Sequence, residues 1–203
     1  IPSIVDNMYD DNIVFCFNNR SNTKPFPGEG VGESIPDYAK SDYNELHKIK
    51  DWRKMLSNNW LEPFKYDEKT WNTVEHYYQG SKFKNENPEF YKLFSIESGS
   101  DISKSAELAK SAGSKTGKHK GELVRDKNIK VDKDFYTTER HDREMYIAQY
   151  HKFTNPNAEY LRDMLLKTRD SKLMHIIMKN PVKEFFVNLV VFRNLLLNNI
   201  FFI

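Results

Sequence analysis
A helix-rich α+β domain is the class this sequence predicts, and three observations carry that reading. Its 203 residues match one domain of ordinary size, able to bury a core without disulfide or metal staples. Apolar residues recur at helical spacing along most of the chain, whereas strand-like runs are few and short. The first such run, Ile13-Val14-Phe15-Cys16-Phe17, is ended by Asn18-Asn19 and reads as a buried strand. Pro25, Pro27, Gly28, Gly30, Gly32 and Pro36 make residues 21–36 a loop. Residues 43–55 turn helical, with Leu46, Ile49 and Trp52 on one side. Phe64-Lys65-Tyr66 and Lys69-Thr70-Trp71 flank Asp67-Glu68 as a hairpin. A helix then starts at Asn72 or Thr73, runs to about Lys84 and stops before Asn87-Pro88. After a turn-rich stretch at 95–101, a short helix spans 105–111, residues 112–121 form a lysine-rich, glycine-punctuated loop, and 129–135 read as a strand. Helices at 139–153 and 158–167 are separated by Asn155-Pro156-Asn157.

The last segment, 185–203, approaches membrane-span length. Arg193 and four asparagines make insertion costly, so it is expected as a helix packed on the domain through Phe186, Leu189, Val190 and Arg193. Residues 1–40 read as a strand and Pro/Gly-rich extension packed on the core, and 41–203 as the main domain, with no repeat or linker.

Composition removes several classes. With 38% hydrophobic and 14% aromatic residues and a mean hydropathy of −0.75, the chain is neither a multispan membrane protein nor a disordered charged segment. Lysine and arginine total 31 against 29 acidic residues, and a net charge of +2 is too small for a general nucleic-acid coat. Cys16 has no internal disulfide partner, and the first ten residues lack a basic region followed by an apolar one. A cytoplasmic location is therefore expected. The richness in Lys and Asn points to an AT-rich genome such as that of a large DNA virus or a protist, where host cytoplasm or virion are the corresponding locations.

Familiar catalytic signatures are missing. Gly113-Ser114-Lys115-Thr116-Gly117-Lys118-His119 has too few residues between its glycines for a P-loop, and His119 stands where Ser or Thr would hold magnesium. Gly28, Gly30 and Gly32 lack the spacing of a dinucleotide fingerprint. There is no G-x-S-x-G elbow, no histidine pair at i, i+4 and no cysteine at metal spacing, so no metal or redox cofactor is expected. What remains is the stretch from Trp71 to Phe83. At about 100° per residue, Glu75, Gln79 and Lys82 share one face of its helix while Val74 and Tyr77 point the other way. The same spacing fits a bland alternative, in which Asn72 and Glu75 form a capping box, Glu75 to Lys82 is a solvated stripe, and His76 is a packed ring.

Several blocks in order along the chain bear on these alternatives. They are Leu56-Ser57-Asn58; Thr73-Val74-Glu75-His76-Tyr77-Tyr78-Gln79 with Lys82-Phe83; Ala109-Lys110 with Gly113; Lys152-Phe153; and Leu165-Leu166-Lys167-Thr168 with Asp170 and Leu173. Together they resemble the NADAR, or YbiA-like, family over about residues 52–193, and the longer form is similar to versions in large viruses and eukaryotes. The resemblance implies a helix-rich α+β domain of YbiA-like type with N-glycosidase activity. Substrates in the family are phosphorylated intermediates of riboflavin synthesis and ADP-ribose attached to guanine, so nucleic acid enters only as a modified substrate and no membrane is involved. A non-catalytic ADP-ribose or nucleotide-binding module, or a structural virion component on the same fold, is the competing expectation.

Breaking a ribose C1′–N bond develops positive charge at the sugar, which calls for a carboxylate near C1′ and a proton for the departing nitrogen. On this reading Glu75 supplies the carboxylate. Lys82 either attacks C1′ through a Schiff base or binds ribose or phosphate. Arg53, Asn58, His76, Tyr78, Gln79, Lys115, Lys118 and Asp170 are the candidate substrate-binding residues, with turn, cap or solvated roles as their structural alternatives.

Overall fold
A computed structural model describes residues 4–177 and 182–200; the end of the expected C-terminal helix, 201–203, lies outside the described residues. In chain order the elements are β1 Asp10–Phe17, α1 Asn44–His47, α2 Trp52–Met55, β2 Phe64–Tyr66, β3 Lys69–Trp71, α3 Val74–Ser81, α4 Pro88–Lys92, α5 Asp101–Lys104, α6 Ala106–Ala112, β4 Lys118–His119, β5 Glu122–Leu123, α7 Arg140–Thr154, α8 Glu159–Lys167, β6 Ser171–Ile177, β7 Val182–Phe185 and α9 Val187–Leu197. This is the helix-rich α+β class the sequence predicts. The elements group into two compact units, one from Ile1–Trp60 with Pro156–Ile203 and the other from Leu61–Asn155.

The first unit is built on a sheet of order β1-β6-β7. β1 runs parallel to β6, pairing Phe15 with Leu173 and Phe17 with His175, and β7 closes antiparallel on β6. Parallel pairing of strands so distant in sequence needs a crossover, and α8 immediately precedes β6. Phe15 packs edge-on against Tyr43 at 5.0 Å and Trp52 at 5.3 Å. Leu161, Leu165, Leu173, Leu189 and Val190 are buried in the same unit. The Arg193 guanidinium of α9 is buried and donates to Thr168 Oγ1 at 2.9 Å and to the Ser171 carbonyl at 2.7 Å. The C-terminal helix therefore packs as expected through Leu189, Val190 and Arg193, although Phe185 ends strand β7 instead of starting the helix. No helix among the described residues is long and apolar enough to cross a membrane.

The second unit centres on α3. Trp71, Val74, Tyr77, Phe83, Phe94, Ala109 and Ala148 form its core, with α6 and α7 packed on α3. The β2–β3 hairpin forms as expected, its Asp67 and Glu68 both at positive φ (54° and 57°), the backbone that matches strand twist in a two-residue turn.

Three local expectations are corrected. The single helix expected at 43–55 is instead the end of a 3-10 turn, Asp37–Tyr43, followed by the short α1 and α2, with α1 packed on α8 and α2 on β1. Residues 129–135 form no strand. The Asp132 carboxylate in that stretch accepts from the backbone of Asn85 and Glu86 at 2.9 Å each and pairs with Arg140, so these links take the place of a ladder. The helix read as reaching Lys84 ends at Ser81.

Candidate active site
α3 begins at Thr73, not in an Asn72–Glu75 capping box. Thr73 lies in extended backbone, and its Oγ1 accepts from the His76 backbone N–H at 3.2 Å and meets His76 Nδ1 at 2.8 Å. Asn72 instead donates through Nδ2 to the Ser103 carbonyl at 2.8 Å. His76 is thus placed on the cap side, where burial lowers its pKa to about 4 against the opposing effect of the Ile102 carbonyl, and the ring is neutral at physiological pH.

With the cap assigned elsewhere, the Glu75 carboxylate belongs to the helix face. Its Oε1 accepts from Gln79 Nε2 at 2.8 Å, one turn along. A solvated stripe is excluded by burial: Glu75, Gln79 and Lys82 are only 7%, 6% and 6% exposed. Lys82 caps the C-terminus of α3, and its Nζ donates to the Gly113 carbonyl at 3.0 Å. The amine lies 5.3 Å from the ring centre of Tyr78 and 5.8 Å from that of Tyr136. Burial pulls the Lys82 pKa down to about 8; the Glu75 charge opposes this, and the Arg125 and Lys110 charges add to it. A carboxylate, an amide and a titratable amine therefore stand in one row inside the second unit.

The segment after α6 is held by Arg125, which donates to the carbonyls of Ala112 at 2.7 Å, Ser114 at 2.8 Å and Lys115 at 3.2 Å. With these carbonyls drawn onto one guanidinium, Lys115 and Lys118 remain exposed. Residues 110–130 contain seven Lys or Arg against two acidic residues, so +5 sits there in a chain of net +2. Its exposed lysines, Lys110, Lys115, Lys118, Lys120, Lys127 and Lys130, form no ion pair among the described residues, whereas Lys40, Lys48, Lys54, Lys92 and Lys167 are each paired within their own helical turn.

Arg53, Asn58 and Asp170 belong to the first unit. Arg53 forms a bidentate pair with Glu33 at 2.8 Å for both contacts and donates to the carbonyls of Lys24 and Phe26 at 2.8 and 2.9 Å. Glu33 in turn accepts from the backbone of Cys16, Gly28 and Gly30. Four of the five guanidinium N–H groups thus organise the Pro/Gly loop, and Arg53 is 4% exposed. Asn58 is half-buried just beyond α2. Asp170 accepts from Tyr43 Oη at 2.7 Å and lines an open cleft of about 730 Å³ with Asp10, Asp42, Arg169 and Asn194.

Helical spacing marks the α3 row in the sequence, but nothing in the spacing marks Arg125, Tyr136 or Gly113 as parts of the same site. The role of Gly113 shows only in the structure: it follows a helix, yet it has an ordinary helical φ of −82°, so its missing side chain answers a need for space. No group of three or more His, Cys, Asp or Glu suited to a metal ion occurs among the described residues.

No protein-family model matches this sequence, and no curated protein matches it. The fold does have a counterpart. It is similar to the NMR structure of the E. coli protein YbiA, with a TM-score of 0.50 and 18% identity over 94% of this chain and 86% of that one. The architecture is therefore a YbiA-like α+β fold, the fold class that the resemblance implies.

Proposed function
We propose that this chain is an N-glycosidase that hydrolyses a ribose C1′–N bond in a phosphate-bearing substrate, either an ADP-ribosylated guanine or a phosphorylated intermediate of riboflavin synthesis. The observation that carries this reading is the buried Glu75–Gln79–Lys82 row with an amine titrating near 8. As the C1′–N bond lengthens, positive charge develops on C1′ and the ring oxygen, and a carboxylate removed from water stabilises it most effectively. At pH 7 a lysine of pKa about 8 is roughly one-tenth neutral, whereas an ordinary lysine is neutral in fewer than about one molecule in a thousand.

The neutral Nζ attacks C1′, and the electron pair of the broken C1′–N bond leaves on the base nitrogen, which takes up a proton. Loss of a proton from Nζ and opening of the C1′–O4′ bond, with protonation of O4′, give a Schiff base. Water then adds to C1′ and expels Lys82, so the net reaction consumes one water and releases base and free sugar. The exposed lysines of residues 110–130, which form no ion pair among the described residues, support the phosphate-bearing class of substrate. A viral or protist source, with host cytoplasm or virion as its location, belongs to the same reading.

The test is to incubate the protein with ADP-ribosylated guanine nucleotides, ADP-ribosylated DNA and the riboflavin-pathway pyrimidine intermediates, and to look for released base by chromatography. Release from one of them names the substrate. Binding without release favours the non-catalytic module, and neither binding nor release refutes the reading.

A further inference from the structure
Lysine is a poor nucleophile unless its amine is desolvated, which favours the neutral form, and its long, rotamer-rich side chain is held. Among the described residues, the one hydrogen bond from Lys82 Nζ is to the Gly113 carbonyl. That acceptor serves the ammonium and the neutral amine alike. After deprotonation one N–H can stay on the carbonyl, which confines the lone pair to the two remaining tetrahedral positions.

Gly113 does a second thing. A Cβ built there would stand 1.9 Å from Gln79 Oε1, 2.8 Å from its Cδ and 2.9 Å from its Cβ, so the Gln79 carboxamide occupies the space a side chain would fill. Gln79 Oε1 is buried and has no hydrogen-bond partner among the described residues, while its Nε2 holds Glu75. The backbone at Gly113, with φ −82° and ψ −4°, is one any L-residue adopts. Gly113 thus differs from Gly28, Gly32, Gly99, Gly117 and Gly121, whose positive φ explains them.

We propose that Gly113 is the positioning residue of the site: its carbonyl aims the Lys82 amine, and its lack of a side chain seats Gln79 so that Glu75 is held in the same row. This rests on the reading of Lys82 as the reacting amine.

The decisive variants are Gly113→Ala and the double variant Gly113→Ala with Gln79→Gly, each in the full chain; glycine at 79 removes both the carboxamide and the Cβ that a side chain at 113 would meet. Alanine keeps the carbonyl and strains no backbone, so the single variant acts through the clash with Gln79. The double variant removes the clash. Two measurements avoid dependence on turnover: an NMR titration of the Lys82 side-chain methylene, and borohydride trapping of the Lys82 adduct with ribose 5-phosphate. Gly113→Ala is expected to raise the Lys82 titration midpoint by about one pH unit or more as the amine is displaced toward water. It is also expected to slow trapping about tenfold or more. The double variant should bring the Lys82 titration midpoint back to near the parent value, because the Gly113 carbonyl again holds the amine, while Glu75 has lost the amide that held it.

An unchanged titration and trapping rate in Gly113→Ala, with only a lower melting temperature, would overturn the proposal. So would a double variant that stays displaced. If Gly113→Ala does not fold, the double variant decides alone: native-like titration supports the proposal, and an ordinary lysine midpoint overturns it. A parent protein that traps ribose 5-phosphate but releases no base would sink the glycosidase reading and leave the role of Gly113 standing.

Discussion
Replacing Lys82 by methionine should make the protein more stable at neutral pH while destroying its proposed activity. Methionine keeps the length and apolar stem of lysine and removes the charge. In the folded chain the Lys82 pKa falls from 10.5 to about 8, with burial the main cause. At about 1.4 kcal/mol per pH unit, folding around the protonated amine costs about 3 kcal/mol, a figure that already includes the attraction to Glu75. Loss of the donor to the Gly113 carbonyl offsets about 1–2 kcal/mol of that, leaving a net gain of about 1–2 kcal/mol for the variant. In a chain of this length the gain corresponds to a rise of about 3–6 °C in Tm.

The pH dependence gives a second check. A folded pKa below the unfolded value means the unfolded chain binds more protons, so the parent gains stability as pH rises from about 8 to 10.5. The variant lacks this gain. Its advantage should be full below pH 8, shrink through that window, and reverse to a deficit near 10.5, where only the lost hydrogen bond counts. Urea unfolding of both proteins at pH 7, 8, 9 and 10 measures this. A variant less stable than the parent at pH 7, or a difference that does not change with pH, would refute the argument and make Lys82 a structural residue.

Glu75→Gln retains an oxygen for Gln79 Nε2 while removing the charge, so turnover should fall about 10²–10³-fold with little change in Tm; full activity, or a loss of stability alone, would place the chemistry elsewhere. Thr73→Ala removes the cap on His76, and equilibrium unfolding should show a loss of about 1–2 kcal/mol that Thr73→Ser largely spares. Leu189→Ala, in the buried face of α9, should lower stability by about 2–5 kcal/mol, and an unchanged unfolding midpoint would contradict the packing of that helix.

Local signals are what the sequence by itself determined. Ile13 to Phe17 is a strand, Asp67-Glu68 turns a hairpin, the short helix expected at 105–111 is α6, and α7 and α8 fall where periodicity and Asn155-Pro156 put them. Each depends on neighbours within a few residues, whose preferences survive without the rest of the chain. The shared face of Glu75, Gln79 and Lys82 is legible for the same reason, since helix geometry alone sets it.

Tertiary structure decided the rest. Ser171–Ile177 becomes a strand because β1, more than 150 positions away, supplies its parallel partner. Arg53, with a charge that suits phosphate, is taken by Glu33 and the loop carbonyls. Whether the α3 row was a solvated stripe or a buried site depended on what covered it, and the space at Gly113 for Gln79 exists only once α6 packs on α3. Burial, partner choice and the tuning of an amine arise from groups brought together across the chain, and spacing along a sequence does not encode them.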